Sequence, residues 1–157
     1  MKQKNLVILC GVPGSGKSYW VKHHLRKNDI CVSRDEIRFS LLGDNEDYFA
    51  YETQVFDKFV TKIEENLNKG LRVFADATHI NWASRRKLLQ RLHDKKHILI
   101  DVYIFNTPID LCIERNASRE GRAQVPISVI KNMFNHKTDP HNDPYKYHII
   151  KEIKGDD

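Results

Sequence analysis

The loop at residues 11–18, GVPGSGKS, satisfies the pattern G-x-x-x-x-G-K-[ST]. Its inner glycines let the backbone turn so that successive N–H groups point at phosphate oxygens. A lysine at position 17 reaches the β- and γ-phosphates of a bound nucleotide, and a hydroxyl at position 18 can bind Mg²⁺. The loop therefore predicts a site for ATP or another nucleoside triphosphate with Mg²⁺. Its predicted ligands are Gly14, Ser15, Gly16, Lys17 and Ser18, with Ser18 also on the metal.

This loop alone does not define a reaction, because switch GTPases, motor ATPases and small kinases all contain it. GTPases usually carry an N-K-x-D motif, and neither Asn68-Lys69 nor Asn132 is followed by the residues that this motif needs. Motor ATPases are usually larger, with a long apolar run that ends in adjacent acids, which this sequence lacks. These differences favour a small kinase.

A second candidate cluster is Arg34, Asp35 and Arg38, where a predicted strand passes into a helix. Asp35 and Arg38 are three residues apart and share one helical face. A kinase needs a carboxylate to take the proton of the attacking hydroxyl and a cation to hold an anionic acceptor. The alternative is a surface ion pair in the first turn of an ordinary helix.

Asp76 follows a third apolar run, at residues 71–75, where its carboxylate could orient Mg²⁺-bound water or the acceptor. A turn or capping role is the alternative. Arg115 and Arg119 lie one helical turn apart in a segment at about residues 113–126 that has the features of a lid. Two such arginines could hold the triphosphate and spread the transition-state charge, or could simply stabilise a helix C-terminus. Arg122 is a weaker candidate.

Taken together, GVPGSGKS followed by a helix, a strand and SRDEIR resembles the kinase domain of bacteriophage polynucleotide 5′-kinase and related small P-loop kinases. The resemblance covers about residues 5–136. It implies that Lys17 and Arg119 are catalytic, that Asp35 is the general base and that Arg38 holds the acceptor phosphate. It also implies that Arg115 and Arg119 act on the donor phosphates, and that Asp76 helps to order the acceptor. The larger phage enzyme also has a 3′-phosphatase domain, and we expect this chain to hold the kinase alone.

The elements that must position these residues alternate between apolar strands and amphipathic helices. Strands are predicted at residues 6–10, 30–33, 71–75 and 98–105, with a possible edge strand at 147–153. Helices are predicted between them, including one from Tyr48 to Leu67, one capped by Thr107 and one in which Ile127 and Ile130 face inward. This alternation predicts an α/β fold: a P-loop kinase-like three-layer sandwich with a mostly parallel sheet of four to five strands and helices on both faces. We expect one domain over residues 1–157.

Composition narrows the possible partners. The 157 residues carry a net charge of +5, which favours anionic partners but also serves solubility. No apolar run is long enough for a membrane span, and no partner protein is evident. Three cysteines without a CxxC motif predict free thiols and a cytoplasmic protein, in the host cytoplasm if it is phage-encoded.

Three further groups have both a functional and a structural interpretation. Aromatic rings could stack on a base but are expected in the core: Tyr48, Phe49 and Tyr51. His79 is expected to be solvated. An irregular set could bind a metal but is expected to be a solvated loop: His136, Asp139, His141 and Asp143.

The function predicted from these features is ATP-dependent phosphoryl transfer to the 5′-hydroxyl end of DNA or RNA. The alternatives are a kinase of a nucleoside or nucleotide, of a small molecule such as an antibiotic, or of a hydroxymethylated base in DNA. A non-catalytic nucleotide-binding module is a further alternative.

Overall fold

The computed structural model describes residues 3–119, 121 and 124–154. Within these residues there are five strands: β1 (Lys4–Cys10), β2 (Asp29–Ser33), β3 (Arg72–Asp76), β4 (Ile98–Phe105) and β5 (Ile149–Ile153). The α-helices that connect or follow them are α1 (Lys17–His24), α2 (Arg34–Leu41), α3 (Glu52–Asn68), α4 (Trp82–Arg91), α5 (Ile109–Ala117) and α6 (Ile127–Asn135). Short 3-10 helices also lie at Lys95–His97 and Pro140–Asn142.

The strands form one parallel sheet in the order β2-β3-β1-β4-β5. β1 is central: Val7 is in register with Phe74 of β3 on one side and with Asp101 of β4 on the other. Because all strands run the same way, the loops that follow β1, β2 and β3 meet at one edge of the sheet. This arrangement confirms the predicted α/β fold class and the fifth, edge strand.

Alternation along β1 divides the core into two layers. Leu6, Ile8 and Cys10 pack in the larger cluster with residues of α3 and α4. Val7 and Leu9 point to the opposite face and pack with Trp20 of α1. Both faces of the central strand are therefore covered, which is why residues 6–10 are continuously apolar.

Several predicted helix boundaries were wrong. The long helix α3 begins at Glu52 rather than Tyr48, because residues 43–51 form turns before it. Thr107 does not cap α5: the cap residue is Pro108, and the Thr107 hydroxyl instead donates to the carbonyl of Ser15 at 2.7 Å. Ile127 at the start of α6 is exposed, whereas Ile130 is buried as predicted.

Among the described residues, no helix combines the length and the apolar character that crossing a bilayer would require. Residues 120, 122 and 123 of the predicted lid lie outside the described residues, and Arg122 is one of them.

Candidate active site

The phosphate-binding loop runs from the end of β1 to the start of α1. Gly14 and Gly16 have φ angles of 84° and 97°, in the left-handed region that side chains disfavour. A Cβ atom on Gly14 would lie 2.3 Å from the carbonyl oxygen of Cys112 in α5. The loop therefore needs glycine at position 14 for its conformation and also for the close approach of α5.

Lys17 is buried beneath this loop. Its Nζ donates to the carbonyl oxygens of Gly11 at 2.7 Å and Val12 at 3.2 Å. Burial lowers the pKa of this amine, the Asp76 carboxylate opposes that effect, and the charge of Arg119 adds to it. The ammonium is thus held by backbone oxygens at the floor of the loop, where an arriving phosphate would offer it a charged partner.

Ser18 and Asp76 meet although they are 58 residues apart. The Ser18 hydroxyl donates to Oδ2 of Asp76 at 2.7 Å, because β3 lies beside β1 and ends next to the loop. A hydroxyl and a carboxylate are hard oxygen donors of the kind that Mg²⁺ prefers, with water and phosphate oxygens completing its shell. No cluster of three or more His, Cys, Asp or Glu side chains among the described residues could hold a metal by itself. The residues present therefore fit a Mg²⁺–nucleotide complex.

The predicted base and acceptor clamp are in direct contact at the start of α2. Asp35 accepts hydrogen bonds from Nη1 of Arg38 and, at 2.9 Å, from the hydroxyl of Tyr48. The Asp35 side chain is 55% exposed, whereas the Arg38 side chain is only 8% exposed. An accessible carboxylate is therefore adjacent to a guanidinium that the protein holds in place.

Glu52 holds that guanidinium and was not among the residues predicted from the sequence. Arg38 donates to it twice, from Nε at 2.9 Å and from Nη2 at 2.7 Å, in a bidentate pair. Arg34 approaches the same carboxylate at 3.4 Å. Arg38 also stacks over the ring of Tyr48 at 4.5 Å. Glu52 is in no motif, and its only sequence signal is an acidic residue in the first turn of a helix, which is a common feature.

Arg115 and Arg119 reach the loop from the end of α5. Nη1 of Arg115 lies 3.4 Å from the carbonyl oxygen of Gly14, and both arginines line the cleft above the loop. Arg115 contacts the loop backbone, and the positive charge of Arg119 acts on Lys17. This is the position from which cations could contact donor phosphates.

All the predicted site residues border one cleft of about 610 Å³. They are Gly14, Ser15, Gly16, Lys17, Ser18, Arg34, Asp35, Arg38, Asp76, Arg115 and Arg119. Tyr48 and Phe49 also line it, and Phe49 is 53% exposed. The expectation that these two rings lie in the core was therefore wrong, whereas Tyr51 does pack against the core.

His79 and Asp143 also differ from expectation. His79 is buried rather than solvated; its Nδ1 pairs with the Leu9 carbonyl at 2.9 Å, and burial lowers its pKa to about 4. Arg85 is fully buried and pairs with Asp143 at 2.6 Å, so Asp143 belongs to the core rather than to a solvated loop. The Arg85–Asp143 pair ties α4 to the segment before β5.

Comparison with known proteins agrees with this architecture. A family model described as an AAA domain matches residues 6–140, which is most of the chain. A chain of the Pnkp1/Rnl/Hen1 RNA repair complex is 23% identical with a TM-score of 0.74; the match covers 87% of this chain and 44% of that one. This chain therefore spans less than half the length of that protein.

Two further solved structures share the fold at lower identity. Kti12 from Chaetomium thermophilum, in complex with ADP-AlF3, is 15% identical with a TM-score of 0.62, covering 97% of this chain and 90% of that one. A gluconokinase from Sinorhizobium meliloti 1021 is 14% identical with a TM-score of 0.54, covering 98% and 83%. The chain belongs to the AAA domain family, and its fold is that of a nucleotide-binding P-loop kinase.

Proposed function

We propose that this protein transfers the γ-phosphate of ATP to a 5′-hydroxyl end of DNA or RNA, with Mg²⁺ as cofactor. The observation that carries the proposal is the Asp35–Arg38 contact at the wall of the cleft that also contains the phosphate-binding loop. A base and an anion-binding group beside a nucleotide site are what a hydroxyl kinase with a phosphorylated acceptor needs.

The chemical step follows from these positions. The acceptor oxygen forms a bond to the γ-phosphorus while the bond from that phosphorus to the β–γ bridging oxygen breaks. The Asp35 carboxylate takes the hydroxyl proton, and ADP leaves with the bridging oxygen. The exposed face of Asp35 gives an acceptor access, while its contacts with Tyr48 and Arg38 fix its orientation.

On the donor side, Lys17 and the loop N–H groups bind the β- and γ-phosphates. Ser18 and Asp76 would hold Mg²⁺, which neutralises developing phosphate charge when bound. Arg115 and Arg119 close over the donor as part of a lid at about residues 113–126, within a single kinase domain that spans residues 1–157. Such closure excludes water and so limits hydrolysis of ATP.

On the acceptor side, Arg38 selects for a phosphate next to the attacked hydroxyl. Its Nη1 contacts Asp35 and Tyr48, so a phosphate that took over this donor would sit within reach of the base. Among common alcohols, a 5′-terminal nucleotide of a polynucleotide has a phosphate in that position. The fold similarity to an RNA repair protein and the net charge of +5 also support a nucleic-acid acceptor.

A kinase of a small-molecule alcohol is the second candidate. The fold similarity to a gluconokinase favours it, and a cleft of about 610 Å³ is of the size that small ligands occupy. The two candidates share the donor site and Asp35, and they differ in whether Arg38 faces an acceptor phosphate.

Labelled ATP tests the proposal directly. The protein is incubated with γ-labelled ATP, Mg²⁺ and separate acceptors: 5′-hydroxyl DNA and RNA oligonucleotides, nucleoside 3′-monophosphates, nucleosides, hydroxymethyl-pyrimidine DNA and sugar alcohols. Label on the 5′-hydroxyl oligonucleotides supports the proposal. Label on sugar alcohols alone would support the second candidate, and nucleotide binding with no labelled acceptor would support a non-catalytic module.

Asp35→Asn is the variant that tests the base. It keeps the size of the side chain but cannot accept a proton, so we expect kcat to fall by about 10²- to 10⁴-fold while ATP binding is largely kept. Asp110→Asn, an exposed acid in the first turn of α5, is the matched control and retains wild-type kcat. Full activity of Asp35→Asn would exclude Asp35 as the base.

A further inference from the structure

Three cations surround one aromatic ring beside the cleft. The ring belongs to Phe56 of α3, which is buried but forms part of the cleft wall. The side-chain nitrogen of Lys87 lies 4.3 Å from its centroid, and the guanidinium carbons of Arg34 and Arg91 each lie 5.4 Å away. Three positive charges thus lie close to one aromatic ring.

The helix α4 extends this cluster outward from the cleft. Ser84 and Lys87 of α4 line the cleft, and Arg91 follows Lys87 by four residues on the same face. Four residues correspond to a rise of about 6 Å. Lys87 and Arg91 are both exposed, so their charged ends form a path that begins at the cleft and leads away from it. We call Arg34, Lys87 and Arg91 the cationic path.

Acidic groups balance this path only in part. Arg34 shares Glu52 with the more tightly bound Arg38, and Arg91 pairs with Asp57 at 2.9 Å, with both of those side chains about half exposed. Among the described residues, Lys87 is in no close ion pair, and its charge acts on Glu52, which already pairs with Arg38 and Arg34. The path therefore retains excess positive charge beside the predicted acceptor site, and an anion bound there would relieve the repulsion between its members.

We propose that Lys87 and Arg91 bind the backbone phosphates of the acceptor strand beyond its terminal nucleotide. The inference rests on the proposed function and extends it: the terminal nucleotide contacts Arg38 and Asp35, and the strand then follows α4. Consecutive phosphates of one strand match two cations spaced one helical turn apart. The partner is single-stranded nucleic acid with several phosphates, recognised through its backbone and not its bases.

The experiment compares a short and a long acceptor. A nucleoside 3′-monophosphate carries the terminal 5′-hydroxyl and one phosphate, whereas a 5′-hydroxyl octanucleotide also carries the phosphates that would reach α4. For wild type, kcat/KM for the octanucleotide exceeds that for the nucleotide. In Lys87→Ala/Arg91→Ala the ratio of the two values falls about tenfold, as expected for two solvent-exposed charge contacts.

Salt dependence provides a readout that a merely structural role would not change. Each phosphate contact to a single strand contributes about 0.7 to the slope of log affinity against log salt concentration. The double variant therefore reduces the slope for the octanucleotide by about 1.4. Lys87→Arg/Arg91→Lys keeps both charges and restores the ratio. Lys95→Ala/Lys96→Ala is the matched control, because it removes two cations just before the amino end of β4, one of which lies over the Tyr145 ring. We expect it to leave the ratio of the two kcat/KM values and the salt slope unchanged.

The outcomes separate the two levels of the proposal. If wild type phosphorylates both acceptors but the ratio and the salt slope of the double variant match wild type, the cationic path is wrong and the kinase proposal stands. An octanucleotide no better than the nucleotide in wild type also overturns the path. If wild type phosphorylates neither acceptor, the proposed function itself fails.

Discussion

Glu52→Gln tests whether the geometry of Arg38 depends on a residue that belongs to no motif. The Glu52 carboxylate accepts two short hydrogen bonds from Arg38 and a longer one from Arg34. Glutamine removes the charge and replaces one acceptor oxygen by an N–H donor that faces the guanidinium. The largely buried Arg38 would then lose its bidentate partner while it keeps Asp35 and Tyr48.

The size of the effect follows from burial. Breaking a fully buried ion pair costs about 3–5 kcal/mol, and a charged hydrogen bond contributes about 1.5–3 kcal/mol. The Glu52 side chain is 30% exposed and glutamine keeps one acceptor, so we expect about 2 kcal/mol. For a chain of this length that corresponds to a decrease in Tm of about 4–8 °C. The same free energy, if lost at the acceptor phosphate, lowers kcat/KM for the acceptor about 30-fold.

The assay measures thermal unfolding, kcat/KM for a 5′-hydroxyl oligonucleotide and KM for ATP. We expect the first two to fall and the KM for ATP to stay near wild type, because Glu52 contacts the acceptor side only. Glu64→Gln is the matched control: it is on the same helix, about 18 Å away, is similarly buried and accepts the backbone N–H of His93 at 2.7 Å. A Glu52→Gln protein with normal acceptor kinetics and lower Tm would reduce Glu52 to a structural role, and an unchanged Tm would refute the reasoning altogether.

Three further predictions concern the loop and its support. Gly14→Ala places a Cβ against the Cys112 carbonyl, so we expect at least a tenfold loss of ATP affinity, measured by nucleotide titration; unchanged affinity would mean that α5 can move aside. Ser18→Ala removes the hydroxyl that contacts Asp76, so the Mg²⁺ concentration for half-maximal activity rises, while ATP binding without metal changes little; an unchanged Mg²⁺ requirement would argue against a metal role. Burial lowers the pKa of His79 to about 4 in the folded protein, below its unfolded value of about 6.5. The stability that comes from burying a neutral His79 is therefore fully present above pH 6.5 and is lost as the pH falls toward 4. Over this range the free energy of unfolding of the wild type declines by up to about 3 kcal/mol. Asparagine tolerates the positive φ angle at this position, so His79→Asn should fold and show a smaller decline when urea denaturation is measured as a function of pH. A variant with the same decline as wild type would refute the assignment.

The local features of this fold could be predicted because their causes lie within a few residues. The strand at Ile98–Phe105 was predicted at both of its ends, and the cap of α2 is equally local, since Ser33 accepts a hydrogen bond from the backbone N–H of Glu36. The glycine pattern predicted a phosphate loop, and both inner glycines have the positive φ angles that such a loop needs. A predicted helix boundary was wrong where the residue has a partner far away in the sequence. Thr107, for example, donates its hydroxyl to the carbonyl of Ser15 and does not cap its own helix.

The candidate site was predictable as a set of residues but not as a network. A motif marks Asp35, Arg38 and Lys17, and the parallel order of the strands is enough to place their loops at one edge of the sheet. Glu52 was missed because a single acidic residue at a helix start has no distinguishing pattern. The rings of Tyr48 and Phe49 were assigned to the core because helical spacing was extended through residues that the structure folds as turns.

By itself, the sequence determined the nucleotide loop, the alternation of strands and helices, and the residue types available for phosphoryl transfer, because each depends on short-range spacing. Only the tertiary structure decided which partner each of these residues has. Asp76 meets Ser18 across 58 positions, Arg38 meets Glu52 across 14, and Arg85 meets Asp143 across 58. The physical reason is that hydrogen bonds and ion pairs act over a few ångströms in space. Which side chains come that close depends on how the elements pack, and the number of residues between two side chains along the sequence does not specify it.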